Sequence, residues 1–177
     1  GNIDSLLNVL KTAKDSSRAS TLVATASYYA QNGNEEALSY IDELKKYVDK
    51  SKSKYFNARW LQVNGIYFYY KHELDKCISN YEKAVVLFTE LNDKKELGRT
   101  LNNLGLALQE AGKADASLNF YNQAIKIRRE IKDSVGLART LNNLGMAYME
   151  LGKFNLSIDA LQQSIVLDEK NNNVKGI

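Results

Sequence analysis

Residues 99–113 read RTLNNLGLALQEAGK, and residues 139–153 read RTLNNLGMAYMELGK. Their first seven letters agree, and the offset is 139 − 99 = 40. Sliding the chain by 40 aligns far more than this pair. ARWLQVNGIYFYYKHELDKCISNYEKAVVLFTELND starts at Ala58, GRTLNNLGLALQEAGKADASLNFYNQAIKIRREIKD at Gly98, and ARTLNNLGMAYMELGKFNLSIDALQQSIVLDEKNNN at Ala138. A weaker copy, RASTLVATASYYAQNGNEEALSYIDELKKYVDKSKS, starts at Arg18. Self-similarity at a fixed period of this size marks a repeat architecture, in which each repeat is one supersecondary unit.

Within the unit at Gly98, Leu101, Leu104 and Leu108 recur at helical spacing, and Leu118, Tyr121, Ala124 and Ile125 form a second such run. Gly112 separates the runs, as Gly152 does in the next unit. Each unit is therefore expected to be a helical hairpin. One hairpin cannot bury its apolar face alone, so neighbours must stack. The pattern predicts helices over 18–31 and 35–50, 55–71 and 74–91, 95–111 and 114–131, 135–151 and 154–170, with a further helix at 3–13 built on Ile3, Leu6, Leu7 and Leu10. Asp93 and Asp133 fall 40 apart just before new helices, where a carboxylate can accept free backbone N–H groups. Gly65, Gly105 and Gly145 lie in mid-helix, where glycine costs about 1 kcal/mol relative to alanine. Cys77, Ser117 and Ser157 are the matching small residues of the second helices. Both sets are expected at the close crossing of each hairpin.

The order Leu104-Gly105, Leu108, Gly112, Ser117, Tyr121, Ala124 resembles the tetratricopeptide repeat. Leu144-Gly145, Tyr148, Gly152, Phe154, Ser157 and Gly65, Phe68, Leu74, Cys77, Tyr81, Ala84 fit the same pattern. The usual period of that family is 34 residues with a proline ending the second helix; this chain has no proline and is similar to the 40-residue variant. The first unit departs most, with Thr25 where the glycine belongs, so its register is open by a residue. The resemblance implies an all-α, right-handed α-solenoid of stacked antiparallel helical hairpins. On this reading 1–177 is a single array: a preceding or capping helix at 3–13, repeats at 18–57, 58–97, 98–137 and 138–173, and the start of a truncated fifth repeat at 174–177, where VKGI aligns with SVGL. The chain is then expected to be a fragment of a longer protein, and its last apolar ridge, near Leu161 and Ile165, to be a self-association face.

Composition bounds the function. Charged residues make up 25% of the chain, the net charge is +3, and basic residues are spread rather than bunched, which argues against nucleic acid as the partner. No stretch approaches the roughly 20 apolar residues of a membrane-spanning helix. One cysteine permits no internal disulfide, and one distant histidine makes no metal site with it. Cys77 reads as a small core residue and His72 as a solvated turn residue. Glu35 and Glu36 open a helix, where acids suit the dipole. No phosphate-binding glycine loop or nucleophile motif is present. A non-enzymatic chain without cofactor is expected, and its compartment, cytoplasmic or periplasmic, stays open.

The informative residues are on the first helices. Arg99, Asn102, Leu106 and Gln109 are spaced 3, 4, 3 and share one face, apart from the core leucines. Their counterparts are Arg59, Gln62, Ile66, Tyr69 and Tyr70 in one unit and Arg139, Asn142, Met146 and Met149 in the next. The resemblance implies that first helices line a concave groove, with arginines in one row and carboxamides in another. Carboxamides bond both peptide N–H and C=O, arginines fork onto carboxylates, and Tyr and Met receive apolar side chains. An extended, acidic partner segment would suit such a groove. Structural pairing is the alternative: Arg99 and Arg139 are within the reach of acids such as Glu110 and Glu150 on adjacent helices, and duplication alone repeats a face. Three functions follow: a protein- or peptide-binding region of a larger regulatory protein, similar to arrays beside bacterial sensor kinases and transcription regulators; an array that self-associates end to end; and a relative of the repeat-containing phosphatases that act on response regulators. The last needs an extra N-terminal helical domain, for which residues 3–13 supply one short helix.

Overall fold

The computed structural model describes the backbone of residues 3–175 and the side chains of 3–172. Among the described residues there are nine α-helices and no strand. They are α1 (Ile3–Thr12), α2 (Asp15–Gln31), α3 (Ala37–Ser51), α4 (Lys54–Tyr70), α5 (Leu74–Glu90), α6 (Lys94–Glu110), α7 (Ala114–Glu130), α8 (Ser134–Glu150) and α9 (Phe154–Lys175). The ends from α4 to α8 fall within one residue of the periodicity. Two differences stand out. Helix α2 begins three residues earlier than expected, and α9 continues five residues past 170 without the turn expected before 174. Residues 174 and 175 are thus part of α9, and the rest of the expected fifth repeat, 176 and 177, lies outside the described residues.

Local chemistry sets the breaks. Asp93 accepts a hydrogen bond from the Glu96 N–H at 3.1 Å, and Asp133 accepts one from the Gly136 N–H at 2.9 Å. Ser53, 40 residues before Asp93, accepts from the Phe56 N–H at 3.3 Å. Each cap satisfies one of the orphan donors of a helix start. Hairpin turns are closed by left-handed residues: Gly112 at φ +72° and Gly152 at φ +68°, with His72 taking the same role at φ +56°. In the first hairpin the left-handed residue is Gly33, one place later than the 40-residue frame requires, because α2 runs on to Gln31. That resolves the open register.

The helices form two compact units, one ending at Leu91 and the other beginning at Asn92. In the first, α1 packs on α2, α2 pairs with α3, and α4 lies on both and pairs with α5. Its core holds Leu22, Ala26, Ile41, Leu44, Val63, Cys77, Tyr81 and Phe88. In the second, α6 pairs with α7, α7 packs on α8 and α8 pairs with α9. Tyr121, Ile125, Leu141, Leu144 and Ala147 form its centre.

The mid-helix glycines mark close crossings, one turn beyond the expected partners. A Cβ on Gly65 would lie 2.5 Å from the Tyr81 ring, one on Gly105 2.6 Å from the Tyr121 ring, and one on Gly145 2.7 Å from Leu161 Cγ. Cys77, Ser117 and Ser157, four residues before those partners, are buried beside them, and the Ser157 hydroxyl donates to the Gly145 carbonyl at 2.8 Å. Leu161 therefore faces α8, and the exposed ridge of α9 runs instead through Ile158, Ile165 and Val166.

Candidate partner-binding surface

Helix α8 carries the open part of the candidate surface. Arg139, Asn142, Met146 and Met149 are all exposed, and their spacing puts them in one stripe. Leu141, Leu144 and Ala147 of the same helix are buried on its other side. The stripe offers a guanidinium, a carboxamide and two flexible thioethers, a set that can receive a charge, a peptide group and apolar side chains.

The same positions on α6 are more enclosed, because α8 lies beside it. Arg99 and Leu106 are half-buried, and Asn102 is only 3% exposed. The Asn143 amide donates to the Asn102 carbonyl oxygen at 3.1 Å, so the carboxamide ladder joins positions 41 apart, not 40. Gln109 donates to Glu150 at 2.8 Å and accepts from the Tyr121 hydroxyl at 2.9 Å. Arg99 pairs with Glu96 of its own helix at 2.6 Å. Asn102, Gln109 and Arg99 thus have structural work within the unit.

On α4, Gln62 is 1% exposed and Ile66 is also buried, so neither offers free surface. Arg59 is half-buried and lines a small hollow with Ser20, Val23, Tyr55 and Phe56. Tyr69 is half-buried, and Tyr70 is exposed with its ring edge-on to Tyr69 at 5.4 Å between centroids. Of the three first-helix sets expected from sequence, the structure leaves Tyr70 on α4 and the full stripe on α8 exposed.

A residue outside that set is the most unusual in the second unit. Arg128, on the last turn of α7, is 4% exposed. Its guanidinium lies 3.6 Å from the Asp133 carboxylate and donates to the Gly98 carbonyl at 3.5 Å, both at the outer limit of such contacts. Its Nε has no partner. Burial pushes its pKa below the ordinary arginine value, against the pull of Asp133 and with the repulsion of Arg139 and Arg99. Sequence held one signal of this: Phe88 and Val48 occupy the matching places 40 and 80 residues earlier, and both are buried. A cation in a core column is expensive unless it is well paired.

Cys77 is fully enclosed, and burial alone pushes its thiol up to about 12. His72 is exposed at its turn, and Glu35 pairs with Lys71 at 3.1 Å. No described helix is long and apolar enough to cross a membrane.

The comparisons with known proteins bear on the whole array. A family model described as tetratricopeptide repeat matches residues 57–130 and again 96–170. No curated protein sequence matches. Among solved structures, the chain is similar to MamA at 21% identity and a TM-score of 0.65, over 97% of this chain and 89% of that one. It is similar to a signal transduction ATPase with numerous domains and a tetratricopeptide repeat sensor, from Pyrococcus horikoshii, at 17% identity and a TM-score of 0.80. That match covers 98% of this chain and 27% of the other. Aspartyl phosphate phosphatase F from Bacillus subtilis matches at 16% identity and a TM-score of 0.78, over 96% of this chain and 45% of that one. Likenesses at such identities show the fold, an all-α helical-repeat solenoid. With the family model matched over most of the length, from 57 to 170, the chain belongs to the tetratricopeptide repeat family.

Proposed function

We propose that this chain is a non-catalytic binding module that holds an extended segment of a partner protein against the first helices of its hairpins, as the interaction region of a larger regulatory protein. The tetratricopeptide fold is typically a non-catalytic interaction module. The observation that carries the finer reading is the open stripe of Arg139, Asn142, Met146 and Met149, backed by a rigid apolar core. Methionines adapt to varied apolar side chains, while the guanidinium and carboxamide fix polar ones. Peptides selected from a random library on the intact chain test this. Replacing all four stripe residues by Ala should weaken the selected peptides at least about ten-fold, with helicity unchanged. Unaltered binding by that variant removes the stripe as the site.

A second reading is favoured by α9. Ile158, Ile165 and Val166 are exposed, and α9 bounds with Leu137 and Leu141 a cleft of about 500 Å³. An apolar face of this kind suits self-association of two copies through their last hairpins. Sedimentation over a range of concentrations decides it: a monomer throughout excludes this reading.

A further inference from the structure

We propose that the exposed face of α9 pairs with the same face of a second copy of this chain, the two helices running antiparallel about a two-fold axis beside Gln162. The proposal rests on the reading of the last hairpin as a self-association surface, and it names the occupant of that surface and its register.

The chain itself shows what such a face takes. Phe154, Ile158 and Ile165 are each more than half exposed, and their spacings of 4 and 7 put them in one stripe. Forty residues earlier, on α7, stand Ala114, Leu118 and Ile125. There α8 lies alongside: Ala114 and Ile125 are buried, and Leu118 packs against the cluster that contains Leu141 and Leu144. A neighbouring helix is thus the cover that this place in the hairpin receives, whereas the three matching side chains of α9 stay exposed.

Two features select a second copy as that helix. The stripe is self-complementary. Ile158 and Ile165 are seven residues apart, two turns, which is the interval at which paired helices repeat their contacts. Across an antiparallel two-fold axis midway between them, Ile158 of each copy meets the partner's Ile165, so one face serves both copies. Gln162, exposed beside the axis, brings a carboxamide that can both donate to and accept from the partner's Gln162. Charge then fixes the direction. Exposed Lys153 stands just before the helix, and Asp168, Glu169 and Lys170, net −1, lie near its other end. Lys153 is held by Asp115 only at 3.5 Å. Antiparallel pairing brings Lys153 toward the acids of the partner and sets the two helix dipoles in opposition; parallel pairing would put the acids of both copies together.

Single added cysteines test the register on the full chain, since Cys77 is fully enclosed. Gln162→Cys and Asn155→Cys replace exposed residues of one face, two turns apart. In the antiparallel pair the two copies of position 162 flank the axis, within reach of a disulfide, which needs Cα atoms closer than about 7 Å. Position 155 instead faces the partner's Asp168, so its two copies are 168 − 155 = 13 residues apart, about 20 Å along the helix. Mild oxidation with diamide should therefore link Gln162→Cys into covalent dimers and leave Asn155→Cys unlinked. Ile158→Glu should raise the dimer dissociation constant at least about ten-fold in sedimentation. Linkage of both cysteine variants means a parallel pair and overturns the proposal. Linkage of neither, or of Asn155→Cys alone, also overturns it, and so does an Ile158→Glu dimer as tight as the wild type. A wild-type dimer with any of those contrary results leaves self-association standing while this register fails; a monomer at every concentration rejects both.

Discussion

At Gly105 an added Cβ would sit 2.6 Å from the Tyr121 ring, and that ring is fully buried with its hydroxyl bound to Gln109. It cannot swing away. Glycine to alanine in an open helix gains up to about 1 kcal/mol, but overpacking here costs about 1–3 kcal/mol, so the sign reverses. The first hairpin has another solution: Thr25 stands at the glycine's place and Ile41 at the tyrosine's, both buried. Gly105→Thr alone should therefore lower unfolding free energy in urea by about 2 kcal/mol. Adding Tyr121→Ile should restore part of it, and a double variant as unstable as the single one refutes the pairing. Cys77 makes a pH prediction. Burial raises its folded thiol to about 12 from an ordinary 9.0, so both states are neutral below pH 9 and only the unfolded chain ionises between 9 and 12. Stability should fall with rising pH across that window by at most about 1.4 kcal/mol per unit relative to Cys77→Ser. Serine is the residue at the matching positions 117 and 157. Parallel pH profiles of the two proteins contradict the assignment.

At the scale of elements, the two aspartate caps look alike in sequence but differ in structure. Asp93 only caps α6; Asp133 caps α8 and faces the buried Arg128. Asp93→Ala should cost about 1 kcal/mol, the ordinary value of a lost cap. Asp133→Ala should cost about 2–3 kcal/mol, because it also strips a buried cation of its counter-charge; the partial exposure of Asp133 keeps this below the figure for a fully buried pair. In an Arg128→Met background the Asp133→Ala cost should drop to that of the cap alone. Equal losses at Asp93 and Asp133, or no coupling in the cycle, show that Asp133 and Arg128 do not interact energetically. The carboxamides teach the same lesson. Asn102 and Asn142 share a place in the repeat, yet one is buried under Asn143 and the other is open. Helix α6 has α8 beside it; no described helix plays that part for the stripe of α8.

At the scale of the molecule, a repeat array draws its stability from hairpins and their nearest neighbours. The last helix is packed on one side only. Leu161 rests on Gly145, whereas Ile165, 58% exposed, touches solvent. Leu161→Glu should thus cost several kcal/mol, as a charge forced into the α8–α9 contact, while Ile165→Glu should change monomer stability by less than about 0.5 kcal/mol. Thermal unfolding of the two variants at low concentration checks this. Comparable losses would mean that the ridge is covered in solution.

The 40-residue period and the spacing of leucines were enough to place eight helices in four hairpins, because hydrophobic periodicity and turn residues act locally. Cap positions at Asp93 and Asp133 and the turns at Gly112 and Gly152 were legible for the same reason. The close crossing at each mid-helix glycine was also legible, and Ser157 does meet Gly145, but the side chains that fill the gap were not: Tyr81, Tyr121 and Leu161 are chosen by the rotation of one helix against another. Likewise, repeated letters do not carry equal exposure. Asn102 and Gln109 are held by neighbours from α7 and α8, and Arg99 by Glu96, whereas Arg139 and Asn142 are open. Burial is a property of what lies beside a residue in space, so tertiary packing decided which of the matching side chains remain available to a partner. It also decided that Arg128, in a column of core residues, is buried between Gly98 of α6 and Gly136 of α8, a juxtaposition of three helices that local sequence pattern does not encode.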